Sequence, residues 1–379
     1  MDFLLSYYKI LNEKEEEYTY KKSRQKFRDT AKKCNVDILD KLIVDEEEDL
    51  TIDIAVFKGN PKQLVLHISG THGVEGFIGS EIQNEIMNYA VEYSQSDINM
   101  NIPTLMLVHS LNPFGMHYLR RVNEKNVDLN RNALFDGEFK DKINLYKNVE
   151  NDINPKYSLN DTLYERFYRL CKMGWSILKN GFTNSKRAMV TGTYDRKNEQ
   201  GLFYGGNELQ KSHKLLRDYL EKNNYLEEVE DLRLIDVHSG MGKMGKDTIM
   251  ISSSNTLKKE DLDELFETSY AVSYTHNNSE NEVTKGYEYT QGDVADNYPK
   301  LFKNAKKVIS VTQEFGTYHN IWVALELILE NQAWNYGSIN KENKYDNRKL
   351  YKVFSPLDNE NVKLEILSRG FILFDRICL

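Results

Sequence analysis

Four short apolar runs, at residues 64–68, 104–109, 232–238 and 308–314, limit this chain more than any other feature. Each is rich in Val, Ile and Leu and too short for a helix buried on all sides. That is the pattern of strands covered on both faces, as in a parallel sheet. Residues 51–57 instead alternate polar and apolar side chains, the period of a half-buried strand, and 38–44 and 247–252 are further strand candidates. Helical patterning falls between the runs, at 21–33, 80–90, 207–223, 260–270 and 321–335, and 140–182 is mostly helical and charged. Alternating strands and helices predict an α/β fold with a largely parallel or mixed sheet. The tail, 362–378, reads as two short strand-like pieces about Gly370. No Pro-, Gly- or Ser-rich linker divides the chain. The expected organisation is a single domain over 1–379, with a charged helical segment in 1–50 and a mainly helical insertion near 138–230.

The 379 residues are 40% hydrophobic and 28% charged, the balance of a folded globular protein. A net charge of −8 argues against a nucleic-acid partner, which requires clustered Lys and Arg. The short basic cluster at 303–307 reads as solvated helix surface. Three scattered cysteines, Cys34, Cys171 and Cys378, suit neither a disulfide framework nor a thiolate metal knuckle. No stretch approaches the roughly 20 apolar residues of a membrane span. The start carries Asp2 and no basic segment, unlike a secretion signal. The expectation is a cytoplasmic protein with no membrane partner.

Chemistry concentrates where the apolar runs end. After 64–68 the chain turns through Ser69-Gly70-Thr71 and presents His72-Gly73-Val74-Glu75. After 232–237 it presents His238, followed by Ser239-Gly240-Met241-Gly242. Strand ends in open α/β sheets are where sites form. Two His and one carboxylate make a three-ligand metal set with a position left for water. Asp236, two residues before His238, is placed to orient that imidazole. Taken singly, each His is more often a satisfied strand-end residue; it is the matching contexts that favour a site.

Two further constellations matter. Asp128-Leu129-Asn130-Arg131-Asn132 sets an amide beside a guanidinium, with Asp128 expected to pre-position it. An Arg fork binds a carboxylate through two hydrogen bonds. Arg120 and Arg121 stand upstream and could polarise a carbonyl, although an ordinary solvated loop would look similar. Glu314 ends the last apolar run, a costly place for a charge without a partner or a task. It could serve as a base for water, or as a helix cap or structural ion pair.

His72-x-x-Glu75, Asn112-Pro113, Asp128-Leu129-Asn130-Arg131, His238 and Glu314 stand in the order found in zinc carboxypeptidases of the carboxypeptidase A type. The contexts THGVEGF, NVDLNRN, DVHSGMG, QEFGT and GLFYGG most resemble a microbial branch long labelled a domain of unknown function. That branch is also related to the aspartoacylase and succinylglutamate desuccinylase enzymes. The resemblance spans about 51–335. It implies a mixed, mostly eight-stranded sheet sandwiched by helices, and one Zn2+ per chain held by His72, Glu75 and His238. It implies Glu314 as the general base that later protonates the leaving amine, and Arg121, or less readily Arg120, as the oxyanion partner. Asn130 and Arg131 would clamp a substrate carboxylate. Tyr287, with Tyr289 as alternative, stands where the peptidases keep a mobile Tyr, in a loop that does not match cleanly. Phe203 or Tyr204 of GLFYGG would reach the mouth of the site.

The resulting expectation is a zinc-dependent hydrolase of an amide bond next to a free carboxylate, most simply a carboxypeptidase-like metallopeptidase. An N-acyl amino acid deacylase of the aspartoacylase type is the alternative, so the partner is a peptide or an N-acyl amino acid. A protein that binds zinc and carboxylate-ended peptides without cleaving them is the reading from another class. It has no need of Glu314.

Overall fold

The apolar runs form the centre of one sheet. The computed structural model describes residues 18–94, 102–274, 286–287, 289–337 and 344–378. Its strands are β1 (Ile38–Asp45), β2 (Leu50–Phe57), β3 (Asn60–Ile68), β4 (Pro103–His109), β5 (Asp231–Met244), β6 (Asp247–Ile251), β7 (Ala271–Tyr274) and β8 (Lys307–Gly316). They are ordered β1-β2-β4-β3-β5-β8-β6-β7. The central strands β4, β3, β5 and β8 are mutually parallel. β1, β2 and β4 pair antiparallel on one side and β6 pairs antiparallel with β8 on the other. The fold is therefore an eight-stranded mixed α/β sheet. β7 escapes sequence reading because it has only four residues, and the helix expected to run to 270 stops at Leu265.

The parallel strands are apolar nearly throughout because both faces are covered. Val65, Ile235, Val237, Ile309 and Val311 enter one core, under helices Gly76–Ser94, Asn320–Tyr336 and Glu360–Cys378. Leu64, Leu66, Ile68, Leu232 and Leu234 enter the other, against Leu216 and Leu220 of helix Lys211–Lys222. Among the described residues no helix is long and apolar enough to cross a membrane.

Two expectations are corrected. The tail is one helix, Glu360–Cys378, with Ile366, Gly370, Leu373, Phe374 and Ile377 buried at helical spacing. Gly370 is not a break between strands but a point of close helix packing: a Cβ there would lie 2.7 Å from the Ile82 side chain. The basic cluster 303–307 is not helix surface, because a 3₁₀ turn ends at Leu301 and β8 begins at Lys307. Lys303 and Lys306 pair instead with Glu227 (2.8 Å) and Glu230 (2.9 Å). In the N-terminal segment the helix is Tyr20–Lys33, capped by Thr19; residues 1–17 and much of the loop 277–296 lie outside the described residues.

Between 138 and 230 the helices Leu163–Asn180, Phe182–Thr191 and Lys211–Lys222 are joined by irregular chain. Buried Arg166 ties the first of them down. Its guanidinium meets Asp161 (2.6 Å) and Glu326 (2.5 Å) on helix Asn320–Tyr336, and Lys349 also reaches Asp161 (2.7 Å).

Two stability predictions follow from this packing. Burial depresses His67, His109 and His213 to about 4. Between pH 6.5 and 4 the unfolded chain then binds more protons than the native one, so stability falls as pH drops through that window. The expected loss is on the order of 1–2 kcal/mol per histidine by pH 5. Urea midpoints at pH 7 and 5 measure it, and the difference should shrink in His213→Gln. Separately, Gly370→Leu overpacks the contact with Ile82 and should lower stability by about 1–3 kcal/mol, read by denaturant unfolding.

Candidate functional site

The parallel strands all deliver their carboxyl ends to one edge of the sheet, where ladder pairing no longer constrains the chain. β3 leads into His72 and Glu75, β5 carries His238, and β8 carries Glu314 opposite it in register. β4 leads into the loop that holds Arg120, Arg121 and Asp128–Arg131. Two backbone hydrogen bonds lock that loop to the His72 turn, from Val74 N to Arg120 O (2.8 Å) and from Gly73 N to Arg121 O (3.2 Å). Gly73 is required there, since a Cβ would lie 2.0 Å from the Gly115 backbone.

The side chains of His72, Glu75 and His238 converge, with candidate ligand atoms all within 4.8 Å of one another. All three are buried. Nε2 of His72 faces Asp128 (3.2 Å) and Nε2 of His238 faces Asp236 (2.6 Å). Thr71 Oγ1 donates to the other oxygen of Asp236 (2.7 Å). With no ion bound, burial would lower His238, but Asp236 and Glu75 hold its imidazole well above the usual range; in the neutral tautomers whose Nε2–H donates to a carboxylate, each Nδ1 keeps a lone pair. Those two Nδ1 atoms face each other at 2.9 Å, and Glu75 lies 3.0 Å from one and 3.2 Å from the other. Burial would push the Glu75 carboxyl up, but the two imidazoles hold it well below the usual carboxylate range.

This donor set fits a divalent cation. Glu75, Asp128 and Asp236 bring three negative charges to the two imidazoles, and Arg121 answers only one of them. Its Nε meets Asp128 (3.0 Å) and its NH1 meets Glu75 (3.2 Å). Two protons could balance the remainder, but two protonated Nδ1 atoms would collide at their present separation. A dication between lone pairs removes both problems, and the carboxylates on Nε2 are the outer partners that metal-bound histidines ordinarily have.

A cavity of about 190 Å³ extends from the cluster. Arg121, Asn130, Arg131, Tyr287 and Glu314 all line it, and Arg120 does not. Arg120 is buried elsewhere, on Glu330 (2.6 Å) and beneath Trp334. Glu314 accepts from Met241 N (3.1 Å). Burial first, and the Glu75 charge second, push its carboxyl up to about 8, against the pull of His238 and Arg121. Arg131 donates to carbonyl oxygens, Val190 (2.6 and 3.0 Å) and Asn130 (2.7 Å), and makes no ion pair with a carboxylate among the described residues. Asn130 Oδ1 accepts from Val294 N (2.9 Å), so Nδ2 is what it can offer a ligand. The Tyr287 hydroxyl reaches Met241 Sδ (3.0 Å), whereas Tyr289 is exposed against Arg187. Of the GLFYGG pair it is Phe203 that lines the cavity, 4.8 Å beneath the Arg121 guanidinium.

Asp128 caps the Leu129–Arg131 turn and so pre-positions Asn130 and Arg131 as expected, but it does more. It orients His72 and Arg121, and its Oδ1 accepts from Asn130 N (2.9 Å). Sequence reading also missed the cavity roof: Met173, Ile177, Phe182 and Met189 from helices Leu163–Asn180 and Phe182–Thr191. Helical spacing marked those residues only as apolar, and nothing in the sequence told which element they would cover.

The fold and the site define an α/β protein with a buried His–Glu–His cluster at the carboxyl edge of its parallel strands. The chain belongs to the family described as a protein of unknown function, DUF2817, which it matches over residues 17–368. No curated protein matches it. Among solved structures it is similar to bovine thrombin-activatable fibrinolysis inhibitor in complex with tick carboxypeptidase inhibitor (12% identity, 96% of this chain and 98% of that chain, TM-score 0.48). It is also similar to carboxypeptidase A from Helicoverpa armigera (12%, 94% and 73%, TM-score 0.46) and to a metallo-carboxypeptidase from Pseudomonas aeruginosa (11%, 93% and 69%, TM-score 0.41).

If Asp236 and Asp128 orient metal ligands, Asp236→Asn should weaken zinc binding about 10–100-fold with the fold intact. Competition against a chelator of known affinity checks this; unchanged affinity removes Asp236 from the site.

Proposed function

We propose that the chain is a zinc-dependent hydrolase of an amide bond next to a free carboxylate, a metallocarboxypeptidase-like enzyme. The observation that carries the reading is one cavity holding His72, Glu75 and His238, with Arg121, Arg131 and Glu314 around them. His72, Glu75 and His238 would hold the ion, which when bound supplies Lewis acidity toward the scissile carbonyl and its attacking water.

The chain's own residues supply the rest. Arg131 gives three of its five N–H groups to carbonyl oxygens, so charge and donors remain for a substrate carboxylate. Asn130 Nδ2 adds a donor beside it. Arg121, held by Asp128 and Glu75, aims a fixed guanidinium at the place where an oxyanion develops. Glu314, with Oε1 held by Met241 N, takes a proton from water and returns it to the leaving nitrogen. Tyr287, which lines the same cavity, would contact the substrate there. The apolar roof excludes water and receives an apolar part of the substrate.

A deacylase acting on N-acyl amino acids would use the same groups. A binding protein without turnover would leave Glu314 as a buried carboxylate with no task. We place the enzyme in the cytoplasm, a reading supported by three free cysteines.

The test is hydrolysis of two panels, short peptides and N-acyl amino acids, by zinc-loaded protein. Turnover should disappear on chelation and fall by about 10²–10⁴ in Glu314→Gln. Arg121→Ala should lose about 10²–10³ in kcat, while Arg131→Ala should act mainly through KM. Turnover that survives chelation or Glu314→Gln contradicts the mechanism, and the panel that is cleaved decides between peptidase and deacylase.

A further inference from the structure

Helix Leu163–Asn180 is amphipathic the wrong way round for a surface helix. Its buried residues are Arg166, Arg169 and Ser176. Its outward face carries Tyr164 (77% exposed), Phe167 (50%), Tyr168 (38%), Trp175 (67%) and Leu178 (80%). With Leu163, these side chains expose roughly 700 Å², at about 200 Å² per large side chain. Monomeric proteins rarely expose an apolar patch above about 300–600 Å². A standard association buries about 800 Å² on each partner.

The spacing selects the occupant. Tyr164, Tyr168, Cys171, Trp175 and Leu178 follow one another at four, three, four and three residues, the repeat of a helix seam that packs on another helix. The stripe is also symmetric about Cys171. Tyr164 and Leu178 lie seven residues to either side, and Phe167 and Trp175 lie four to either side. A two-fold axis at Cys171 would run the two helices antiparallel and set each residue against the one equally far on the other side of Cys171. Tyr164 of one copy would then meet Leu178 of the other, and Phe167 would meet Trp175. Tyr168 would meet Gly174, where a Cβ would find nothing within 4 Å in the single chain. Such self-complementarity is what an isologous contact requires.

We propose that this face is a homodimer interface, built by antiparallel packing of helix Leu163–Asn180 against the same helix of a second copy. The contact stands apart from the chemistry of the site and does not depend on it. Its inner side nevertheless bears on the cavity, because Met173 and Ile177 of the same helix form part of the roof. Dimerisation would therefore brace the roof from outside.

Sedimentation equilibrium of the full chain over a wide concentration range tests this. A dimer is expected, and Trp175→Glu combined with Leu178→Glu should raise its Kd by at least about 100-fold. Both side chains are exposed, so the variant should stay folded, with the wild-type far-UV circular dichroism spectrum. A short bismaleimide should cross-link the wild type through Cys171, and Cys171→Ser should abolish the cross-link while leaving sedimentation unchanged. A chain that is monomeric at every concentration overturns the proposal, as does a dimer that persists in the double variant. So does a monomer that instead cosediments with phosphatidylserine-containing vesicles through this stripe.

Discussion

The site is shaped by a charge imbalance. Glu75, Asp128 and Asp236 crowd two imidazoles in a buried cluster, and among the described residues Arg121 is the one guanidinium that touches them. Buried charge is costly unless it is paired. Here the pairing is left two positive charges short, at the spot where two imidazole lone pairs and a carboxylate converge. The neighbouring residues share this arrangement. Asp128 serves His72, Arg121 and the Asn130 backbone together, so the His–Glu–His cluster, the Arg121 guanidinium and the 129–131 turn are set by one carboxylate.

The sheet makes that concentration possible. Only parallel strands bring several carboxyl ends to one edge, and β4, β3, β5 and β8 do so. The apolar faces that fix their register therefore also fix the distance from His72 to His238 and Glu314. Loops with no ladder pairing are held by closer means: the Gly73–Gly115 contact, the paired bonds to Arg120 and Arg121, and His213, whose ring bridges Tyr298 and the Leu129 carbonyl. Arg120 and Arg121 are neighbours in sequence with different surroundings, because successive side chains of this loop point to opposite sides.

The central strands were legible because burial on both faces leaves a continuous apolar run that no other short element shows. The meeting of His72, Glu75, His238 and Glu314 at one edge was legible because each stands at or shortly after the end of such a run. The tail was misread because Gly370 looks like a break when its neighbour in space, Ile82, is unseen. β7 was missed because four residues carry no period. The second partner of Asp128, the different surroundings of Arg120 and Arg121 and the identity of the roof all depend on contacts between segments far apart in the chain. Local pattern does not encode those contacts. The aromatic face of helix Leu163–Asn180 was visible as residues, but its outward direction became known only once Arg166 was found buried against Glu326.

The most direct test of the central claim is anomalous diffraction at the zinc edge from crystals of the zinc-loaded protein. The account predicts a single peak per chain bonded to Nδ1 of His72, Nδ1 of His238 and the Glu75 carboxylate, at about 2.0–2.2 Å. No peak at that position, or one bonded through an Nε2 with Asp128 or Asp236 displaced, would contradict it.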